Sequence, residues 1–355
     1  MPSPNLKQQI AAERYHSISY PSSSQHLWRY TPFRTIHPSD STKDLLESVP
    51  IHVEVAGGTI EEIDVARNKT FLQEIDDKGL ALNIALNTIE REIICSQETK
   101  ISLFGNSEVN SCRLNFVVPE KTSSVVTVVN QSINWCGLIF EGVIPPSSKL
   151  EFIFVDISDS NATILRHDGW ILNRDSNLVM STLSLGGLHR KSHLMYRLDG
   201  KGSSLEVGCA SLGKENRHDD HHFSVIHNAP YTHSKLRIHS SCSDSSKSVG
   251  TGLLILNENA SGADAGQIFR NLMLSDDATA ESIPELEVFV NDVSATHGAA
   301  SAPIDSEHLM YLNSRGLSPE DATNLITEGF LLKPITDIIS VNQVEDIRDY
   351  LLNHF

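Results

Sequence analysis

From Ile51 to Val293 the chain is written in short apolar or β-branched runs, broken every few residues by Gly, Asn, Asp or Ser. Examples are Val125-Val126-Thr127-Val128-Val129, Leu138-Ile139-Phe140, Leu150-Glu151-Phe152-Ile153-Phe154-Val155 and Leu253-Leu254-Ile255-Leu256. Runs this short, made of residues that suit a pleated surface and bounded by turn formers, predict many short strands. No segment with a helical period interrupts them, so the zone is expected to build its core from sheets. Sandwich, barrel and β-solenoid all satisfy that pattern. Two features favour the solenoid: the zone is longer than most sandwiches, and polar Asn, Ser and Asp turns punctuate it throughout, as the corners of stacked rungs would. No repeat of fixed period stands out.

The chain thus divides into residues 1–50, 51–300 and 301–355. In the first zone Leu6 to Arg14 suits a short helix, and a Ser/Pro-rich stretch leads to Trp28-Arg29-Tyr30-Thr31-Pro32-Phe33, an aromatic anchor that needs a surface to pack on. The last zone switches to helix. Asp305 can cap a helix carrying Leu309 and Leu312, with Gly316 at its end. Ser318-Pro319-Glu320-Asp321 opens the next, with Ala322, Leu325, Ile326 and Phe330 on its apolar face and Pro334 as its stop. Ser340 with Gln343 resembles a capping box before Val344, Ile347 and Leu351.

Charge excludes two classes of partner. With 28 basic and 45 acidic residues the formal net charge is −17, which opposes non-specific nucleic-acid binding and docking on an anionic membrane. No run of 18 apolar residues suggests a membrane span. The start, Met1-Pro2-Ser3-Pro4-Asn5-Leu6-Lys7, has no apolar signal-peptide core, and the five cysteines (Cys95, Cys112, Cys136, Cys209, Cys242) are scattered without a CxxC. Both point to a cytoplasmic protein with reduced thiols.

Candidate chemistry centres on histidine. His218, His221, His222, His227, His233 and His239 fall within 22 residues, with Asp219 and Asp220 among them. Imidazole and carboxylate suit Zn or Fe(II), and a stand-alone metalloprotein is one reading. On a solenoid, His227 and His233 could line one face. Without metal, the cluster is a hydrogen-bonded polar surface. A carbohydrate-active β-helix enzyme, with carboxylates on one solenoid face, is another reading. No GxSxG elbow and no GxxxxGK[ST] phosphate loop occur, so ATP hydrolysis would need a separate protein. His297, in Asp292-Val293-Ser294-Ala295-Thr296-His297-Gly298-Ala299, sits where the β zone meets the helices, with Gly298 leaving its imidazole uncrowded.

The stretches around His297 carry a family resemblance. Asn271-Leu272-Met273-Leu274-Ser275-Asp276-Asp277-Ala278, Pro284-Glu285-Leu286-Glu287-Val288, Asp292-Val293, His297-Gly298-Ala299 and Tyr311-Leu312-Asn313-Ser314-Arg315-Gly316, in that order, closely resemble the SufB/SufD family, scaffold subunits of the SUF iron–sulfur cluster assembly machinery. Arg217-His218-Asp219-Asp220-His221-His222, His227-Asn228-Ala229-Pro230-Tyr231-Thr232-His233-Ser234 and Trp28-Arg29-Tyr30-Thr31-Pro32 extend the resemblance upstream. His297-Gly298-Ala299 resembles the SufD form, and Leu274-Ser275-Asp276-Asp277-Ala278 lacks the cysteine of the SufB form.

That resemblance implies a fold, a role and a site. The fold is a mainly β, right-handed parallel β-helix with a short N-terminal helical or irregular region and a C-terminal α-helical region. The role is a non-catalytic SufD-like scaffold subunit that pairs with a SufB-like chain and binds a SufC-like ABC ATPase through its C-terminal helices, where Tyr311, Arg315, Gly316 and Phe330 are the candidate partner-binding residues. Arg315, near a helix end, equally suits dipole complementarity. His297 matches the histidine that ligates a nascent, transient iron–sulfur cluster shared with the partner chain; imidazole does ligate such clusters elsewhere. SufD chains often carry a cysteine two residues earlier, where this chain has Ala295, so any thiolate must come from the partner. The resemblance raises FAD as a cofactor of the complex and none tightly bound to the isolated chain. Open strand edges at a solenoid end leave both a homodimer of the chain alone and a heterodimer open.

Overall fold

The short runs do become strands, and nearly all of them pair in parallel. The computed structural model describes residues 6–63, 71–72, 75–87 and 89–355, so Met1 to Asn5 lie outside the described residues. Helices α1 (Leu6–Ser17) and α2 (Phe33–Ile36) and strands β1 (Val49–Pro50), β2 (His52–Ala56) and β3 (Thr59–Ile63) precede α3 (Lys78–Leu86). The regular stack follows: β4 (Glu90–Ile94), β5 (Glu98–Phe104), β6 (Val109–Val117), β7 (Ser123–Asn130), β8 (Trp135–Ile144), β9 (Lys149–Asp156), β10 (Thr163–Leu172) and β11 (Asn177–Ser184). It continues through β12 (His189–Leu198), β13 (Ser204–Gly213), β14 (His218–His227), β15 (His233–Cys242), β16 (Lys247–Leu256), β17 (Asp264–Met273), β18 (Thr279–Val288) and β19 (Ser294–Pro303).

Even-numbered strands from β4 to β18 form one sheet and odd-numbered strands from β5 to β19 the other, each strand pairing with the one a full turn away. This is a parallel β-solenoid. The antiparallel pairs are β2 with β5 and β3 with β4, where the stack begins. Thr163 pairs with His189 but Lys247 with Thr279; the rung length therefore drifts along the chain, which is why no fixed period shows in the sequence. Corners are made by single residues in the left-handed region: Lys121, Asn134, Ser147, Asp175, Glu215, Tyr231 and Asp244 all have positive φ. Asn and Asp tolerate that conformation; Tyr231, at φ 56, is the bulky exception.

Inside the stack Phe116, Phe140, Phe152, Phe154 and Trp170 pack together, with Phe116 and Phe152 edge to face at 5.0 Å. Beyond them the inward rows turn polar. Arg166 holds Asp168 through two bonds of 2.7 Å, and Arg190 donates to Asp156, to Asp219 at 2.8 Å and to the Gly186 carbonyl at 3.0 Å. These groups are almost wholly buried, so each charge depends on its partner.

Helix α3 lies in the zone expected to hold no helix. All of its residues except Ala85 are buried, so it has no polar face and no period to read. With α1, α2 and a 3-10 turn at His26–Trp28 it covers the outer face of the even sheet. Trp28 is the anchor expected of it: it is 3% exposed and its Nε1 donates to Asp77 at 2.9 Å.

The C-terminal helices are α4 (Ser306–Ser314), α5 (Pro319–Thr336) and α6 (Val341–Leu352). Asp305 and Ser318 cap the first two as expected, accepting from Glu307 N–H and Asp321 N–H. Two expectations fail. Pro334 does not stop α5, which continues to Thr336. Proline removes the hydrogen bond to the carbonyl four residues back, here Phe330, and that carbonyl instead accepts from His239 Nδ1 at 2.7 Å. Ser340 precedes α6 but makes no side-chain cap; its Oγ and N–H both donate to Glu151 at 2.9 Å. Leu331, Ile335, Ile347 and Leu351 bury α5 and α6 against Ile153, Val155 and Leu183 of the odd sheet. Gly208 makes this contact possible: a Cβ there would lie 2.2 Å from the Pro334 carbonyl oxygen. Because that obstacle is backbone, Gly208→Ala should lower the stability read by urea denaturation by about 1–3 kcal/mol. Among the described residues no helix is long and apolar enough to cross a membrane.

Candidate functional site

The solenoid ends on β18 and β19, whose side chains are half-buried on the first and mostly exposed on the second because no further rung covers them. Strand alternation and register assign each residue of β19 a direction. His297 pairs with Gln267, Gln267 with Leu236, Leu236 with Val207, and Val207 with Met180. Gln267, Leu236, Val207 and Met180 are all buried inside the stack. His297 is therefore the last member of an inward-facing row, exposed at the open mouth. One rung below, Gln267 spends its Nε2 on the Glu285 carbonyl at 2.9 Å and keeps a buried Oε1 with no hydrogen-bond partner. A Cβ at Gly298 would meet nothing within 4 Å, so the space beside the histidine is open, as expected of a glycine neighbour.

No thiol of this chain stands ready beside the histidine. All five cysteines are free and buried, and burial pushes Cys95, Cys112, Cys209 and Cys242 up to about 12 and Cys136 higher still. They stay protonated and unreactive at neutral pH. Among the described residues no group of three or more His, Cys, Asp or Glu side chains is arranged to hold a metal ion.

The histidine cluster is dispersed by the same alternation. His218 and His222 point outward from β14, whereas His221 and His227 point inward: His221 Nε2 shares a hydrogen bond with Ser211, and His227 is held between Thr232 and Ser234 at 2.7 and 2.8 Å. His233 faces out from β15 toward Glu206 and Asp264, so His227 and His233 share no face. Stacking one rung apart does occur, among other residues. His167, His193 and His222 form an outward ladder on β10, β12 and β14, with ring centroids 6.5 and 4.8 Å apart. The N-terminal segment buries it: His167 meets Asp77 at 3.3 Å, and His26 lies against His222. Burial pushes His193 down to about 3 and His222 well below its ordinary value. His193 and His222 are thus neutral parts of the packing.

At the C-terminal helices Tyr311 and Met310 are exposed and Arg315 lies over the Tyr311 ring at 5.2 Å. Gly316, at φ +97, closes α4 with its N–H on the Asn313 carbonyl. Phe330 does not join them. It is half-buried and stacked on His239 of the odd sheet, ring centroids 4.6 Å apart. Leu325, expected on the packed face of α5, is exposed and carries apolar surface to solvent.

The pocket beside Trp28 is a poor fit for a flavin dinucleotide. The roomiest pocket described, about 680 Å³ beside Trp28, carries Asp76, Asp77 and Lys78. Lys78 donates to the Tyr15 and Ile18 carbonyls and Asp77 accepts from Trp28 and Leu80, so neither is left to meet a pyrophosphate, and Asp76 adds negative charge to the lining.

Comparison with known proteins supplies the context. Residues 104–330 match the family described as "SUF system FeS cluster assembly, SufBD core domain". The chain is 25% identical over 202 residues to the iron–sulfur cluster assembly protein SufD of Escherichia coli (strain K12), covering 57% of this chain but only 48% of that protein. It is 25% identical over 358 residues to an iron–sulfur cluster assembly SufBD family protein of Mycobacterium tuberculosis, covering 94% of this chain and 88% of the relative. A SufBD family protein of Staphylococcus saprophyticus is 35% identical over 136 residues, 38% of this chain and 28% of that one.

Proposed function

Because this chain belongs to the SufB/SufD family of SUF iron–sulfur cluster assembly proteins, we propose that it is the SufD-like, non-catalytic scaffold subunit of such a complex. It pairs with a SufB-like chain through the open end of its solenoid, and His297 offers one ligand there to the nascent cluster, which is cargo. The observation that carries this reading is the position of His297, last in an inward-facing row at an uncovered end of paired sheets. A single imidazole completes no metal site alone, and with Ala295 nearby and every cysteine buried, the remaining ligands come from the partner. Unpaired edges of β18 and β19 are suited to receive another chain's strands.

Energy comes from elsewhere. The sequence has no phosphate loop, so the scaffold binds a SufC-like ABC ATPase. Met310, Tyr311, Arg315 and Leu325 form the exposed, apolar-plus-arginine surface that suits such a contact. Phe330 supports it from within by fixing α5 on the odd sheet. The carbohydrate-enzyme reading gives way to the family, and the stand-alone metalloprotein to the opposite facing of its histidines.

Co-expression tests the assembly. A SufB-like chain, a SufC-like ATPase and this chain should purify as one complex. The double variant Tyr311→Ala, Arg315→Glu should lose the ATPase from this subunit while keeping the SufB-like chain. A wild-type chain that purifies alone, or a double variant that retains the ATPase fully, would overturn the corresponding half.

A further inference from the structure

Far from the open end, the corners joining β9 to β10, β11 to β12 and β13 to β14 stack along one side of the solenoid and enclose a pocket of about 300 Å³. Ser158 and Ser160 line it from the first corner, Gly186 and Gly187 from the second, and Lys214 and Arg217 from the third. Arg217 is 5% exposed, and its Nη2 is buried without a hydrogen-bond partner. Its Nε lies 2.8 Å from the Asp219 carboxylate, which also accepts from Arg190. A guanidinium stays charged in a protein, so a buried one with a nitrogen left unsatisfied lacks an acceptor there.

A second orphan lies in the same wall. Ser158 Oγ is buried and makes no hydrogen bond, although the Ser158 N–H is engaged by Asp156. Lys214 stands at the rim, its Nζ donating to the His354 and Phe355 backbone oxygens at 2.6 and 3.2 Å. Glu215 is the acidic member of the lining.

We propose that this pocket binds a small oxyanion of the phosphate or sulfate class, with Arg217 as its charged donor, Ser158 as its neutral donor and Lys214 adding positive potential at the entrance. An anion there gives the idle Nη2 the charge-assisted bond it lacks. Burial already holds the Arg217 guanidinium below its ordinary range despite Asp219, and a bound anion acts in the opposite direction. The site is on the flank of the solenoid and uses none of the residues assigned to cluster or ATPase, so it stands or falls separately from them.

Inorganic phosphate is the probe. Titrated into the full chain at constant ionic strength with chloride as balance, it should raise Tm saturably and give a calorimetric isotherm. Arg217→Gln should abolish that response. Because Arg217→Gln can compromise folding, Lys214→Met and Ser158→Ala test the same pocket from the rim and from the neutral donor. At least one should weaken phosphate binding about tenfold, the effect of losing one hydrogen bond to a charged group. No saturable response in the wild type, or unchanged affinity in both Lys214→Met and Ser158→Ala, would overturn the proposal.

Discussion

Moving the protein from pH 7 to pH 5 is expected to cost it about 6 kcal/mol of folding stability, most of what a domain normally has. The cost comes from histidines that the fold keeps neutral. His193 and His221 are pushed down to about 3 and His227 to about 4 from an ordinary 6.5, in each case chiefly by burial. In the unfolded chain the same imidazoles take up protons below about 6.5. The unfolded state therefore binds more protons as pH falls, and stability that is whole above 6.5 drains away toward the folded values. At pH 5 each of the three contributes a loss of about 2 kcal/mol by that linkage. His222, shifted in the same direction and also buried, adds to it. Asp77, whose carboxyl is held low by His167 and Trp28 against its burial, and Asp219, held low by Arg217 and Arg190, lose stability in the same sense at lower pH. Urea midpoints measured between pH 7.5 and 4.5 should fall steeply below pH 6.5. A midpoint unchanged between pH 7 and pH 5 would show that these imidazoles are not buried neutral.

Replacing Arg190 by methionine is expected to cost about 3–5 kcal/mol, the penalty for breaking a buried ion pair from one side. Methionine approximates the volume of the arginine stem and fills the space. What it removes is the cation that Asp156 and Asp219 share. Asp219 keeps Arg217, and Asp156 keeps the Asn130 side chain and the Ser158 N–H, but neither set replaces a guanidinium in a dry core. The companion Arg190→Met, Asp156→Asn should recover part of the loss, because one of the stranded charges goes with it. A single variant within about 1 kcal/mol of wild type would mean that the interior charges are solvated.

How much of this was readable in the chain varies with how local each signal is. The strands were legible because each run announces itself within a few residues, and the caps of α4 and α5 because Asp305 and Ser318 act on the next turn. Helix α3 was not, since a helix buried on nearly every side has no polar stripe to betray its period. The interior charges were hidden for a related reason. In Thr163 to Leu172, Ile164, Arg166, Asp168 and Trp170 alternate with Leu165, His167, Gly169 and Ile171, so either face could be the inner one until the neighbouring rungs decide. Pro334 reads as a helix stop because the partner that rescues its turn, His239, lies 95 residues earlier in sequence. By contrast, the split of His221 from His222 was available in advance: neighbours on a strand face opposite ways.

The site at the open end shows the same division. That His297 is a junction histidine beside an unhindering glycine could be read from sequence, and the family resemblance gave it a role. Its place at the end of the Met180–Val207–Leu236–Gln267 row could not, because the rungs differ in length and register cannot be counted from spacing. Tyr311, Arg315 and Gly316 fall together at the end of α4 as their sequence proximity suggests, whereas Phe330 turns back onto its own sheet.

Iron and sulfide content of the co-purified three-chain complex, with wild-type or His297→Ala subunit, decides whether this histidine holds the cluster. The variant is expected to assemble normally, to keep its strand signature and thermal transition, and to hold almost no cluster after reconstitution. An assembled His297→Ala complex with undiminished iron–sulfur loading would contradict a ligating role for this histidine.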